Sequence, residues 1–376
     1  MPKVVALPSL ALAKRVVIKI GSSLVADLAN AQVRRAWMQS IATDIAQLHA
    51  RGNDVILVSS GAVALGRPCI GLGVEALDLS EKQAAAAAGQ PLLMQAWAEA
   101  FAPHAIGVAQ VLLTLEDSED RRRYLNARTT FTTLLSHRLI PIVNENDTVA
   151  TAELKFGDND RLAARVAVMT SADTLVLFSD IDGLYTADPR KDKGAQHIAR
   201  VDALDASILS MGGGAASATS NGGMKTKLDA AQMALSAGCH MVIAKGEVMH
   251  PIQAMLDGAR CTWFVASTRP QLARKHWIAT SVHARGGVVI DEGAERALTQ
   301  GKSLLPAGVV KVQGTFERGD TIAVTNLTGT LLARGISAYA ADEAQKIMGK
   351  KTSAIAGILG YAGRDTLIHR DDLALI

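Results

Sequence analysis

The chain has 376 residues, long for one domain and comfortable for two. It is 49% apolar but only 4% aromatic, and 39 Lys/Arg against 36 Asp/Glu leave a net charge of +3, too small an excess to point by itself to nucleic acid or a membrane surface. No apolar run reaches the roughly 18 residues a membrane span needs. Three cysteines (Cys69, Cys239 and Cys261), odd in number and without a CxxC pair, are expected as free thiols in a reducing, cytoplasmic setting. Met1 to Ala13 reads as a ragged tail, because Pro8 interrupts its apolar run and Lys14-Arg15 lead straight into a strand pattern at Val16 to Ile20.

That first strand ends in Gly21-Ser22-Ser23, and a helical pattern resumes from about Gln32 to Ala50. A strand, a Gly-Ser turn and a helix in this order present backbone N–H groups to an anion. Lys19 sits inside the apolar strand, where a lysine either snorkels outward or points at a negative ligand. Val55 to Val58 repeat the design, with Ser59-Ser60-Gly61-Ala62 at the strand end; taken singly, each such end is equally an ordinary tight turn. Glu81 to Ala102 is a strong helix former in which Gly89-Gln90-Pro91 marks a break or kink. Gly107 to Leu113 is the next apolar run, and Glu116 to His137 reads as one charged amphipathic helix.

The densest polar knot follows. Leu139 to Val143 is a buried strand that stops at Asn144-Glu145-Asn146-Asp147, and Gly157-Asp158-Asn159-Asp160 opens an Ala-rich helix running to Thr170. Helix caps account for one or two of these side chains, but not for seven in one window. In open α/β sheets ligands collect outside the C-terminal ends of strands. Thr174 to Phe178 is a further strand, ending in Ser179-Asp180, followed by the loop Gly183-Leu-Tyr-Thr-Ala-Asp-Pro-Arg190. Met211 to Gly223 is a Gly-rich lid or linker leading into a helix whose start carries Lys225 and Lys227, and Met241 to Ala244 is the next strand. Strands alternating with helices over some 250 residues predict a mainly parallel sheet covered on both faces. Past Lys275 to His283 come short β-like runs at Gly287 to Ile290, Val309 to Val312 and Thr321 to Asn326, the pattern of a small β-rich domain. The expected division is 14–274, a linker at 275–283, and 284–376.

A GxxxxGK[ST] phosphate loop is absent. Gly301-Lys302-Ser303 fails the pattern because Arg296 stands where the first glycine belongs, and no GxGxxG, HExxH or GxSxG occurs in a fitting context. What remains is a set of Gly/Ser strand ends, two embedded lysines, and a carboxylate/amide cluster. These parts suit phosphoryl transfer to an acceptor that is already anionic: a carboxylate with a pKa of about 4 needs no general base at pH 7. The difficulty is repulsion between acceptor and triphosphate, which lysines, helix N-termini and a magnesium ion would offset.

The residues Lys19-Ile-Gly-Ser-Ser, Ser59-Ser-Gly-Ala, Asn144-Glu-Asn-Asp147, Gly157-Asp-Asn-Asp160, Gly183-Leu-Tyr-Thr-Ala-Asp-Pro-Arg190 and Gly222-Gly-Met-Lys-Thr-Lys227 come in the order that resembles the amino acid kinase family. The tail, with Asp291-Glu-Gly-Ala, Gly301-Lys-Ser-Leu-Leu-Pro306, Ile358-Leu-Gly-Tyr361 and His369-Arg-Asp-Asp372, resembles a PUA domain. The resemblance implies a three-layer α/β/α kinase domain that transfers the γ-phosphoryl of ATP, with Mg2+, to the side-chain carboxylate of L-glutamate, the first step of proline biosynthesis. It implies that Lys19 and Lys227 stabilise the transferring group, Lys19 at the ATP phosphates, and that Asp160 orients both. Ser60, Asp147 and Asn159 would bind glutamate, Asp147 meeting its ammonium. Ser179, Asp180 and the run Asn221, Gly222, Gly223, Met224, Lys225, Thr226, Lys227 would hold the nucleotide. It further implies a homo-oligomer (tetramer or dimer), feedback inhibition by proline, and hand-over of the acyl phosphate to a reductase. The alternatives are a family member acting on aspartate or N-acetylglutamate, and an RNA-binding protein. Against the last, residues 285–376 hold eleven Lys/Arg and ten Asp/Glu, a poor footprint for a phosphate backbone. In one place the chain departs from the family pattern: Ser220-Asn221 stands where a Thr usually precedes Gly-Gly-Met.

Overall fold

The structure is a computed structural model that describes residues 8–27, 30–73, 75–149, 159–212, 223–280 and 285–376. By its internal contacts the chain divides into two compact units, Met1–Glu119 with Asn126–Pro270, and Asp120–Leu125 with Gln271–Ile376. The expected linker at 275–283 is in large part helix, since Pro270–Thr280 runs through its first six positions. The glycine-rich stretch read as a lid or linker lies, at residues 213–222, outside the described residues.

The first unit is built on eight strands: β1 Arg15–Ile20, β2 Asp54–Ser59, β3 Val108–Leu113, β4 Ile140–Glu145, β5 Thr174–Ser179, β6 Arg200–Val201, β7 His240–Lys245 and β8 Cys261–Phe264. Their order across the sheet is β6-β8-β7-β5-β1-β2-β4-β3. The six strands from β7 to β3 are parallel, and β8 turns antiparallel against β7. Central strands buried on both faces are expected to be nearly continuous runs of Val, Ile and Leu. β1 fits that expectation, with Val16, Val17, Ile18 and Ile20 fully buried.

Period two then sorts these side chains between two layers. Val16, Ile18, Ile20, Val55, Leu57, Val176 and Phe178 pack into one core with Trp37 and Ile41 of helix α1 (Arg35–Ala50) and Trp97 and Phe101 of a later helix. Val17, Ile56, Val58, Leu175 and Leu177 are as buried but belong to the opposite face. That face is covered by helices Asn159–Thr170 and Met224–Ser236. Lys19, two residues after Val17, shares their side. The result is the three-layer α/β/α architecture.

Two local readings are corrected by the structure. Gly89-Gln90-Pro91 does not break its helix, which runs unbroken from Leu79 to Phe101 behind an Asp78/Glu81 capping box. An interior proline costs about 3 kcal/mol, and burial of Leu93, Trp97 and Phe101 further along the same helix offsets it. Gly89 is explained by contact instead: a methyl placed there would lie 1.9 Å from the Ala62 carbonyl of helix α2 (Ala62–Gly66), so α2 and α3 (Leu79–Phe101) cross at backbone distance. The second correction concerns Glu116 to His137, which is two helices, Leu115–Glu119 and Arg121–Ser136. Asp120 separates them, its Oδ1 accepting from the Arg123 amide at 2.8 Å as an N-cap does.

The second unit carries a five-stranded sheet: β9 Gly286–Ile290, β10 Val309–Gly314, β11 Thr321–Thr325, β12 Leu331–Ile336 and β13 Leu373–Leu375, in the order β10-β9-β11-β12-β13. Its own core gathers Val288, Ile290, Ile322, Val324, Tyr339 and Ile368. This is the small β-rich domain the turn pattern predicted.

Candidate active site

The tips of β1, β2, β4 and β5 and the first turns of two helices, α4 (Asn159–Thr170) and α5 (Met224–Ser236), open onto one cleft of about 1230 Å3. Among the described residues, three helix starts at its wall have a glycine at the cap position (Gly21, Gly61 and Gly223), which supplies no side-chain cap and lets the leading N–H groups face an acceptor. Gly61 adopts φ +123, a conformation L side chains rarely take, and this lets the chain turn sharply from β2 into α2. The Ser60 amide is tied to the Ile20 carbonyl at 3.0 Å, locking the ends of β1 and β2 together.

On the cleft floor Asp160, with a side chain only 2% exposed, holds two ammonium groups. Lys19 Nζ lies 2.7 Å from Oδ1, and Lys227 Nζ lies 3.0 Å from Oδ2. Thr226 donates to Oδ2 as well, at 3.2 Å. Burial would raise the Asp160 pKa, but the charges of Lys19 and Lys227 outweigh it and hold the carboxyl below its ordinary range. Both cations are thus gathered on one carboxylate. The reason they meet is geometric: Lys19 comes off the sheet face that α4 and α5 cover, and Asp160 and Lys227 sit in the first turns of those helices.

A second line of contacts crosses the cleft wall through amides. Gln90 Oε1 accepts from Asn144 Nδ2 at 2.9 Å, Asn144 Oδ1 accepts from Asn159 Nδ2 at 3.2 Å, and Asn159 Nδ2 also donates to Ser60 Oγ. Asp147 lines the same cleft without a partner among the described residues, and burial pushes its carboxyl up to about 6. At the β5 tip Ser179 Oγ donates to Asp180 Oδ1 at 2.9 Å, and Asp180 faces Arg190 at 3.6 Å.

Of the residues singled out from the sequence, Lys19, Ser60, Asp147, Asn159, Ser179, Asp180, Gly223, Met224 and Lys227 line this one cleft, with Asp160 buried behind the lysines. Lys225 is exposed and stands apart from it, and Thr226 turns inward to Asp160. Asn221 and Gly222, and with them the Ser220-Asn221 departure, lie outside the described residues. Sequence reasoning missed Gln90, which carried no signal to set it apart from Gln83 and Gln95 of the same alanine-rich helix. It also missed Arg67 and Lys82, further cations at the cleft wall.

A cleft at parallel strand tips, floored by two lysines and walled by uncapped helix starts, is a device for handling phosphate groups. The sequence profile described as the Amino acid kinase family matches residues 14–245, and that of the PUA domain matches residues 286–359. The chain belongs to the amino acid kinase family. Within it, the chain is 59% identical to Glutamate 5-kinase of Paramagnetospirillum magneticum over 97% of this chain and 99% of that one. It is 54% identical to Glutamate 5-kinase of Dinoroseobacter shibae over 98% and 100% of the two chains, and 52% identical to that of a Bradyrhizobium species over 96% of each.

Proposed function

We propose that this chain is a glutamate 5-kinase, transferring the γ-phosphoryl group of ATP to the side-chain carboxylate of L-glutamate to give L-glutamyl 5-phosphate for proline biosynthesis. The observation that carries the reading is the pairing of Lys19 and Lys227 on one buried carboxylate in the cleft, in a chain that parallels glutamate 5-kinases over nearly its whole length.

On this reading the glutamate carboxylate oxygen attacks the γ-phosphorus in line. The bond from that phosphorus to the β,γ-bridging oxygen breaks, and ADP leaves with the electron pair. The acceptor is ionised at neutral pH, so no group need remove a proton. Lys19 and Lys227 neutralise the charge building on the transferring group, and Asp160 keeps both ammonium groups aimed at it. Asp147 receives the substrate ammonium, with Ser60 and Asn159 beside it. Ser179, Asp180, the Asn221 to Met224 stretch and Lys227 hold the nucleotide, the start of α5 presenting backbone N–H groups to its phosphates. Among the described residues no group of three or more His, Cys, Asp or Glu is placed to hold a metal ion. Magnesium would enter with the ATP cosubstrate and offset the charge of its phosphates.

The same reading has the enzyme working in the cytoplasm as a homo-oligomer, tetramer or dimer, with proline as feedback inhibitor and a glutamyl phosphate reductase consuming the product. Among the described residues no helix is long and apolar enough to cross a membrane. RNA binding is not part of this reading. Hydroxamate formation with ATP, magnesium and hydroxylamine, run in parallel on L-glutamate, aspartate and N-acetylglutamate, tests it. Turnover confined to L-glutamate is the expected result, and a preference for either other acceptor overturns it.

A further inference from the structure

The tip of β5 leads into a small antiparallel hairpin, Leu184–Tyr185 against His197–Ile198, which forms a sheet of its own. Residues 184–191 line the cleft. A hairpin with two paired residues in each strand is marginal in water, so this wall needs support from outside itself. Thr262 of β8 reaches both of its strands. The Thr262 Oγ1 accepts from the Leu184 amide at 2.7 Å and donates to the Ile198 carbonyl at 2.6 Å. Both partners are backbone groups, an N–H that can only donate and a carbonyl that can only accept, so the direction of each bond is set. His197 Nε2 approaches the same oxygen at 3.4 Å, a longer contact that leaves this assignment unchanged. Thr262 is fully buried and does not itself line the cleft. The chain also makes room for it: Gly183 lies at φ +153, and a methyl there would run into the Thr262 hydroxyl and the His197 ring. Arg260 braces the same hairpin from outside, through the Tyr185 hydroxyl at 3.1 Å and Asp182 at 3.8 Å. Its side chain is 59% exposed, and contacts of that kind contribute little.

We infer that Thr262 is a positioning residue for the nucleotide: by pinning both strands of this hairpin it holds the cleft wall against which the nucleoside end of ATP lies. The order of strands gives the side. β1 carries Lys19, β2 and β4 with their acceptor residues lie to one side of it, and β5, with the hairpin that follows, lies to the other. With the phosphates at Lys19 and Lys227 and glutamate at the tips of β2 and β4, the rest of the nucleotide is left the β5 side. Thr262 touches no substrate in this scheme. Without its hydroxyl, the docked hairpin would strand the Leu184 amide and the Ile198 carbonyl, which favours an undocked arrangement. ATP must then reverse that arrangement on binding, and its apparent affinity falls by the docked fraction. The inference rests on the nucleotide assignments above.

The test compares Thr262→Val, which keeps the shape and loses the hydroxyl, with Thr262→Ser, which keeps the hydroxyl. Thr262→Val is expected to raise the ATP KM about tenfold, the effect of one buried backbone group left without its partner. Binding of MgATP, measured by calorimetry without an acceptor, is expected to weaken by the same factor, while the glutamate KM and kcat move less than about twofold. Thr262→Ser is expected to keep the ATP KM within about threefold of the unsubstituted enzyme. A merely structural role would lower stability without separating the two substrates. A folded Thr262→Val enzyme with unchanged ATP KM, both KM values rising together, or Thr262→Ser as damaging as Thr262→Val would overturn the inference. If Thr262→Val does not fold by circular dichroism, Gly183→Ala, whose methyl pushes the hairpin off the same hydroxyl, decides in the same terms. The acceptor assay on the unsubstituted enzyme tests the glutamate reading separately, since MgATP binding needs no acceptor.

Discussion

Asp147 offers the sharpest test of the substrate site, because one group should affect binding and stability in opposite senses. Burial raises its pKa from 3.8 to about 6 in the free protein. At pH 5 a group with that pKa is ionised in roughly one molecule in eleven, against nearly all at pH 8. If the ammonium of glutamate binds only the carboxylate form, the apparent glutamate KM should rise about tenfold between pH 8 and pH 5. The side-chain carboxyl of glutamate itself, with a pKa of about 4.3, remains roughly four-fifths ionised at pH 5 and accounts for little of this. In Asp147→Asn the KM should be high and nearly flat over the same range. Stability should move the other way. A carboxyl whose folded pKa is raised confers stability in its neutral form, fully present below about 3.8 and lost as pH rises through about 6. At pH 8 the native state therefore carries a charge it disfavours. Removing that charge in Asp147→Asn should add on the order of 1–3 kcal/mol, the upper figure being the full shift at about 1.36 kcal/mol per pKa unit. Steady-state kinetics from pH 5 to 8, with urea unfolding at both ends, read both effects. A glutamate KM that stays flat for the unsubstituted enzyme, or an Asp147→Asn enzyme less stable at pH 8, would refute the argument.

Lys227→Ala is expected to lower kcat by about 10²–10³ while changing the glutamate KM much less, because the ammonium counts most as the phosphoryl group moves; unchanged turnover would remove it from the mechanism. Asp160→Asn should destabilise the fold by about 3 kcal/mol in urea titrations, since it leaves two poorly exposed ammonium groups without their shared anion, and a neutral outcome would mean that water already screens them. Gly89→Ala should cost about 1–3 kcal/mol, because its methyl would meet the Ala62 carbonyl backbone. Gly52→Ala, at a site open within 4 Å but at φ +92, is the strained control without a clash, expected to cost about 1–2 kcal/mol.

Much of this protein was written in local pattern. Period-two alternation in Val16 to Ile20 decides which side of the sheet Lys19 occupies, and each apolar run that stops at a polar knot marks a strand tip, because a buried strand must end where backbone and side chains can meet solvent or ligand. The order of motifs along the chain carried the family and the reaction class. What sequence could not decide were relations between segments distant in the chain. Lys19 and Lys227 are 208 positions apart, and they share Asp160 only because β7, β5, β1 and β2 lie side by side beneath the packed pair α4 and α5. Gly89-Gln90-Pro91 read as a break or kink because helix propensity is local, whereas the burial that keeps the helix continuous and the backbone crossing that requires Gly89 are tertiary. Gln90 is the extreme case. Nothing in an alanine-rich helix distinguishes one glutamine as the end of a polar relay, because its meaning lies in an asparagine that only the packed sheet brings within hydrogen-bond reach.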